Sequence, residues 1–294
     1  MGAIVEEREG DQFTVRAESG LTGARIAFPF ISVTATETLM LASVLAKGTT
    51  VLENAAMEPE IPSLANYLNA CGAKISGAGT STITIEGTGL LKAQGKPYVT
   101  PPDRIEAGSF LLFGALAAEE LRITNCEPAH VGALIATLRR AGVSIDTEDS
   151  TIIVRGSGSN DQYKNVSVRT HEYPGFPTDL QAPMAVFMTA ASGEATLLET
   201  IFDGRFRYTD DLIRMGADIT VMNPHKILIH GPKKLLGTEM EGPDLRAGLA
   251  YILAATIAEG KSVVSNAYVI DRGYEKIEER LAKIGVSIKR ETVA

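Results

Sequence analysis

Glycine closes a short amphipathic segment at Gly72, Gly142, Gly216 and Gly285, a recurrence of about 70 residues that marks repeated supersecondary units. Each is preceded by a long Ala- and Leu-rich stretch: TATETLMLASVLAKG, RIEAGSFLLFGALAAEE, TDLQAPMAVFMTAASG and PDLRAGLAYILAATIAEG. These are apolar on most sides, which predicts buried helices. Gly48, Gly193 and Gly260 end three of them, since a helix C′ position favours a residue that tolerates positive φ. Short β-branched strands are expected next, at Thr50 to Leu52, Leu121 to Thr124, Thr196 to Leu198 and Ser262 to Val264. After each second helix a further strand is expected at Lys74-Ile75, Ser144-Ile145, Asp218-Ile219 and Ser287-Ile288. Alternating segments such as Thr82–Glu86 and Thr151–Arg155 complete the unit. The order is β-α-β-α-β-β, an α/β fold rather than a thin solenoid.

The same pattern interprets the first residues. Gly2-Ala3-Ile4 and Phe13-Thr14-Val15-Arg16 match Gly72-Ala73-Lys74-Ile75 and the strand at Thr82–Ile85. The sequence is therefore expected to begin inside a longer repeat array, at the end of a unit whose helices lie elsewhere. The Gly/Pro-containing connection Leu90–Pro102 divides two lobes near Thr100. Residues 1–100 read as an incomplete lobe, the tail of one unit plus one full unit, and residues 101–294 as a lobe of three units.

Candidate chemistry lies at the openings of the units. Tyr173-Pro-Gly-Phe-Pro-Thr-Asp179 leads into a long helix with Asp179 at its start, and Asp244 in Gly242-Pro-Asp-Leu-Arg246 occupies the matching place one unit later. Aspartate is also a preferred N-cap, so both positions fit capping as readily as chemistry. Arg205, Arg246 and Arg272 lie in loops or helix starts after strands, where α/β folds display functional groups. Three convergent guanidinium forks would suit a small anion carrying carboxylate or phosphate.

Composition removes other classes. The 294 residues carry a net charge of −8 with no extended basic cluster, which argues against a nucleic-acid face. No P-loop, nucleophile elbow or dinucleotide fingerprint is present. His130, His171, His225 and His230 share no metal-ligand spacing. Cys71 and Cys126 suit a reducing cytoplasm, and neither a signal peptide nor a membrane-length apolar stretch is found, so a cytoplasmic location is expected.

Seven strings, in order along the chain, carry a resemblance. They are Asn54-Ala-Ala-Met-Glu-Pro-Glu-Ile61, Leu68-Asn-Ala-Cys-Gly-Ala-Lys-Ile75, Pro102-Asp-Arg-Ile-Glu106, Tyr173-Pro-Gly-Phe-Pro-Thr-Asp-Leu-Gln-Ala182, Arg214-Met-Gly-Ala-Asp218, Asp244-Leu-Arg-Ala247 and Asp271-Arg-Gly-Tyr-Glu275. Together they resemble the UDP-N-acetylglucosamine 1-carboxyvinyltransferases, enolpyruvyl transferases of peptidoglycan synthesis. The resemblance implies an inside-out α/β barrel of two lobes built from six such units, with the active site in the cleft between them. It implies transfer of the enolpyruvyl group of phosphoenolpyruvate to the 3′-hydroxyl of UDP-N-acetylglucosamine by addition and elimination, with no cofactor and no metal. Carried over residue by residue, Asp179 is the base that meets the sugar hydroxyl, and Arg205, Arg246 and Arg272 surround the phosphoenolpyruvate-derived group. Ile201 contacts the nucleotide sugar, and Ile31, Ser32 and Val33 form part of the uridine site, where Phe30 and Thr34 depart from the family's usual lysine and glycine.

A further departure concerns the family's Lys-Asn pair and its mobile loop bearing a cysteine or aspartate proton donor, which no stretch here matches. Little turnover is therefore expected from this polypeptide unless a separate chain supplies those groups. Two other readings compete: a 3-phosphoshikimate 1-carboxyvinyltransferase, with the same fold and chemistry, and a non-catalytic remnant or one half of a split enzyme.

Overall fold

In the computed structural model, which describes residues 1–8, 12–95, 97–156 and 163–291, the repeat folds as an α/β unit whose strand order recurs. A hairpin of β1 (Ile4–Arg8) and β2 (Gln12–Arg16) comes first. The next unit has all six elements: β3 (Arg25–Ala27), α1 (Val33–Val44), β4 (Thr49–Glu53), α2 (Glu60–Ala70), β5 (Lys74–Ser76) and β6 (Thr82–Glu86). Its sheet runs β3-β4-β6-β5, with β3 parallel to β4 and the other pairs antiparallel.

After the connection, of which residue 96 lies outside the described residues, come α3 (Arg104–Ala117), β7 (Leu121–Thr124), α4 (Gly132–Arg140), β8 (Ser144–Glu148) and β9 (Thr151–Arg155). A six-element unit follows: β10 (Val168–Arg169), α5 (Gln181–Ala190), β11 (Gly193–Leu198), α6 (Thr209–Arg214), β12 (Asp218–Asn223) and β13 (Lys226–Gly231). Its order, β10-β11-β13-β12, repeats that of the earlier sheet. The last elements are β14 (Glu239–Glu241), α7 (Leu245–Ile257), β15 (Val263–Ser265) and α8 (Ile277–Lys283).

Two expected strands are missing among the described residues. The unit opened by α3 has no leading strand, so its sheet holds only β7-β9-β8. Pro101 and Pro102 stand before α3, and proline offers no N–H to a ladder. Ser287-Ile288, expected as a strand, is irregular. The equivalent strands β5, β8 and β12 each pair with a hairpin partner, and none is found for Ser287-Ile288 among the described residues. A strand without a neighbour leaves its backbone groups to water. The strands lie in five separate sheets, and none closes into a barrel among the described residues.

Two compact units result, Met1–Pro101 and Pro102–Ala294. In the second, α3, α5 and α7 pack against one another and against their own strands. Every residue of α5 is buried, as its apolar surround requires. Fully burying side chains such as Met184, Phe187 and Met188 favours folding by roughly 1.5–3 kcal/mol each. In the first unit α1 departs from that expectation: Leu41 and Leu45 are about half exposed, on a helix that packs chiefly on α2, β4 and β6 among the described residues.

The repeat holds at the level of register. Val5 faces Val15 as Ile75 faces Ile85, an offset of 70 on both strands. The packing differs: Ile83 and Ile85 are fully buried, whereas Phe13 and Val15 are each 64% exposed. Gly72, Gly142, Gly216 and Gly285 all have φ between 97° and 104°, the left-handed conformation the helix endings demand.

Candidate active site in the second unit

The turn Tyr173–Pro177 delivers the chain into a 3-10 turn, Thr178–Leu180, which runs on into α5. Asp179 sits inside that turn. Pro177 and Leu180 are the capping positions, and neither makes a side-chain cap bond. The Asp179 carboxylate instead meets two guanidinium groups: Arg205 Nη2 donates to Oδ1 at 2.8 Å and Arg246 Nη2 approaches Oδ2 at 2.8 Å. Asp244, its counterpart one unit later, does cap its helix, accepting from the backbone N–H of Arg246 at 2.7 Å and of Ala247 at 3.0 Å. Two aspartates that look alike in sequence thus have different work.

Asp244 also explains how Arg246 reaches the site. It fixes the first turn of α7, and Arg246 projects from that turn to Asp179. Its Nη1 donates to the Tyr274 hydroxyl at 3.2 Å, and the guanidinium lies 5.7 Å from that ring's centre. Ser109 on α3 gives its own hydroxyl proton to the Ile105 carbonyl at 2.8 Å, so the Tyr274 O–H, 2.9 Å away, donates to Ser109. Arg205 comes from the turn after β11. Its Nη1 donates to the Thr178 hydroxyl at 2.5 Å, and its guanidinium covers the Phe202 ring at 5.0 Å.

Electrostatics follow from this geometry. The side chains of Asp179, Arg205 and Arg246 keep 32%, 20% and 18% of their exposure, so their charges are shielded from solvent without being sealed from it. Burial works against ionising Asp179, but Arg246 and Arg205 together outweigh it and hold the carboxyl below its ordinary value. Burial likewise opposes the charge on Arg246, and Asp179 and the Tyr274 hydroxyl overcome that opposition. The Tyr274 phenol is pushed up by burial, against the pull of Arg246.

Arg272 is not drawn into this cluster. It is exposed at the end of a 3-10 segment, Ala267–Arg272, and forms no ion pair among the described residues. Its neighbours do belong to the site: a Cβ added at Gly273 would lie 3.5 Å from Arg246 Nη1, and Tyr274 is fully buried. Ile201 is half-buried, and its N–H is already donated to Glu199 at 2.8 Å. Ile31, Ser32 and Val33 belong to the first unit, where Ser32 caps α1 by accepting from the Ala35 N–H at 3.3 Å. Phe30 beside them is 71% exposed.

Sequence alone does not single out Thr178, Glu199 or Tyr274. For Glu199 a faint signal existed. Asn54, Asn125 and Asn266 directly follow β4, β7 and β15 in a left-handed conformation, whereas the place directly after β11 is held by Glu199, which does not adopt it.

Comparison with known proteins accords with the fold. A family model described as EPSP synthase (3-phosphoshikimate 1-carboxyvinyltransferase) matches residues 1–281. The UDP-N-acetylglucosamine 1-carboxyvinyltransferase of Solibacter usitatus is 46% identical over 99% of this chain and 68% of its own length. That of Acidobacterium capsulatum is 47% identical over 99% of this chain and 65% of its own length. Among solved structures, the enolpyruvyl transferase NikO from Streptomyces tendae superposes with a TM-score of 0.86 at 24% identity, covering 98% of this chain and 69% of that one. EPSP synthase from Acinetobacter baumannii gives 0.71 at 20% identity, over 98% of this chain and 69% of that one. The chain belongs to the EPSP synthase family of carboxyvinyl transferases. Its similar relatives there, at 41–47% identity, carry the name UDP-N-acetylglucosamine 1-carboxyvinyltransferase, and the chain spans about two thirds of their length.

Proposed function

We propose that this chain provides the acceptor- and anion-binding site of a UDP-N-acetylglucosamine 1-carboxyvinyltransferase. The observation that carries the reading is Asp179: a carboxylate released from helix capping and shared, one oxygen each, between Arg205 and Arg246.

In the free chain both Asp179 oxygens are occupied, which makes it a poor base. The carboxylate and phosphate of phosphoenolpyruvate compete for the same guanidinium groups, and Arg272, which stands apart in the free chain, joins them as the third. As Arg205 and Arg246 turn to the ligand, Asp179 loses the cations that depress its pKa and gains basicity. It then takes the proton of the sugar 3′-hydroxyl while that oxygen bonds to C2 of phosphoenolpyruvate and C3 gains a proton. In the second half the C2–O bond to phosphate breaks, C3 gives a proton back, and inorganic phosphate leaves. The arginines stabilise the anionic group through both halves. A separate chain supplies the acid that protonates C3. Ile201, with its N–H committed to Glu199, meets the nucleotide sugar through its side chain or carbonyl, and Ile31, Ser32 and Val33 meet the uridine.

Peptidoglycan synthesis, a role in cell shape and division, and a cytoplasmic setting belong to the same reading. So does the inside-out barrel, which is supported by three mutually buried helices, α3, α5 and α7, with their strands outside them. Ligand-dependent melting tests the reading without requiring turnover. UDP-N-acetylglucosamine at 100 times its dissociation constant stabilises a specific binder by about 2.7 kcal/mol, a clear rise in melting temperature, and shikimate 3-phosphate leaves it unchanged. A rise with shikimate 3-phosphate alone would move the assignment to the other branch of the family.

A further inference from the structure

Glu199 is fully buried and has no part in the chemistry above, yet five donors converge on its carboxylate. The Thr170 hydroxyl donates to Oε1 at 3.0 Å, and the N–H groups of Ile201 and Phe202 donate to the same oxygen at 2.8 and 3.2 Å. The Thr178 hydroxyl donates to Oε2 at 2.8 Å and Gln181 Nε2 does so at 3.3 Å. Proton directions are fixed by what lies behind each donor. Thr178 Oγ1 accepts from Arg205 Nη1 at 2.5 Å, so its own proton must point to Glu199. Gln181 Oε1 accepts from the Tyr208 hydroxyl at 2.6 Å, so its amide nitrogen must do the same. Thr170 Oγ1 accepts from the Thr200 N–H at 2.9 Å.

One carboxylate thereby ties together the turn that carries Asp179 and the loop that carries Ile201 and Arg205. We propose that Glu199 is a positioning residue, holding Arg205 on Asp179 through the Thr178 hydroxyl. The inference rests on the functional reading above only for its consequence in ligand binding; the positioning itself can be read in the ligand-free protein.

An amide in place of this carboxylate tests the relay. In Glu199→Gln an N–H₂ would face either Thr178 and Gln181 or Thr170 and the two backbone donors, and each arrangement opposes donor to donor. If Thr178 turns to accept, its proton points at Arg205, and the Arg205 contact is lost instead. The experiment follows the carboxyl of Asp179 by carbon NMR as pH is lowered, with Asp179→Asn giving the assignment. In Glu199→Gln and in Thr178→Val the titration midpoint moves upward, toward that of an ordinary aspartate, because Arg205 is no longer held beside it. Thr178→Ser, which keeps the hydroxyl, titrates like the wild type. The double variant behaves like either single one, since both break the same chain of bonds. A general loss of structure would not be repaired by the serine. An Asp179 midpoint unmoved in Thr178→Val overturns the proposal, whether or not Glu199→Gln folds; so does an upward move in the double variant equal to the sum of the two. Calorimetry with UDP-N-acetylglucosamine is run on the same samples, with binding about tenfold weaker expected for Glu199→Gln and Thr178→Val. A wild type that does not bind this probe, with the NMR pattern intact, would count against the functional reading alone.

Discussion

Asp179→Ala is expected to abolish measurable binding of UDP-N-acetylglucosamine, a loss of roughly 100-fold or more given that hydrogen bonds to charged groups contribute about 1.5–3 kcal/mol each and the arginines lose their fixed partner as well. The variant leaves Arg205 and Arg246, both mostly shielded from water, facing each other without a counter-charge. Breaking a fully buried pair costs about 3–5 kcal/mol, and at the partial exposure seen here the loss should be smaller, on the order of 1–2 kcal/mol at neutral pH. Its pH dependence has a definite sign. The folded-state pKa of Asp179 is depressed, so its contribution is present above the unfolded value, about 3.9, and fades as pH falls through the lower folded value. Denaturant unfolding of wild type and variant at successive pH values reads this out: the two curves converge in acid, and a gap that persists there would mean the carboxylate's charge is not what stabilises the site.

The second large effect lies away from the site. Gly231→Ala is expected to destabilise the second unit by about 3 kcal/mol or more, because overpacking against an element that cannot yield is among the costliest single changes. A Cβ at Gly231 would lie 2.2 Å from the Ala191 carbonyl oxygen, 2.8 Å from that of Thr189 and 2.9 Å from that of Met188. All three are backbone atoms at the end of α5, so no side-chain movement relieves the clash. Gly87 and Gly156 stand at the same place after β6 and β9, with the Ala46 and Ala118 carbonyl oxygens 1.6 and 2.0 Å from an added Cβ. The close approach of helix end to hairpin end is thus a built-in feature of the repeat. Gly132→Ala is the control. Gly132 opens α4 with nothing within 4 Å of an added Cβ, so alanine there should be neutral or stabilising by about 0.4–1 kcal/mol. Equal losses in the two variants would remove the steric explanation.

The architecture was legible in the sequence because a repeat reports its own period. Helix-ending glycines and paired strands recur at fixed offsets, down to Val5 opposite Val15 and Ile75 opposite Ile85. What the period could not convey is whether each element finds its neighbour. Ser287-Ile288 has the composition of a strand but no partner strand among the described residues, and the Pro101-Pro102 pair removes a leading strand that the pattern implied. The site was legible in part. Asp179, Arg205 and Arg246 are brought together, and the loop-then-helix setting that suggested them also produced Asp244, which is a cap. Local sequence cannot distinguish the two, because the difference is made by Arg205, 26 residues away. Arg272 resembled the other arginines and stands apart from the cluster. Glu199 is hard to recognise in local sequence for the same physical reason: its donors come from positions 18 to 29 residues earlier and from two N–H groups of its own loop.

In the proposed ligand site one carboxylate is shared by two arginines that pass to the anion when it binds. A crystal structure of the chain soaked with UDP-N-acetylglucosamine and phosphoenolpyruvate would show this exchange. The sugar hydroxyl is expected within hydrogen-bond distance of Asp179, with the guanidinium groups of Arg205 and Arg246 turned from that carboxylate onto the anion. Ligand bound elsewhere, with the Asp179 ion pairs unbroken, would contradict the proposed site.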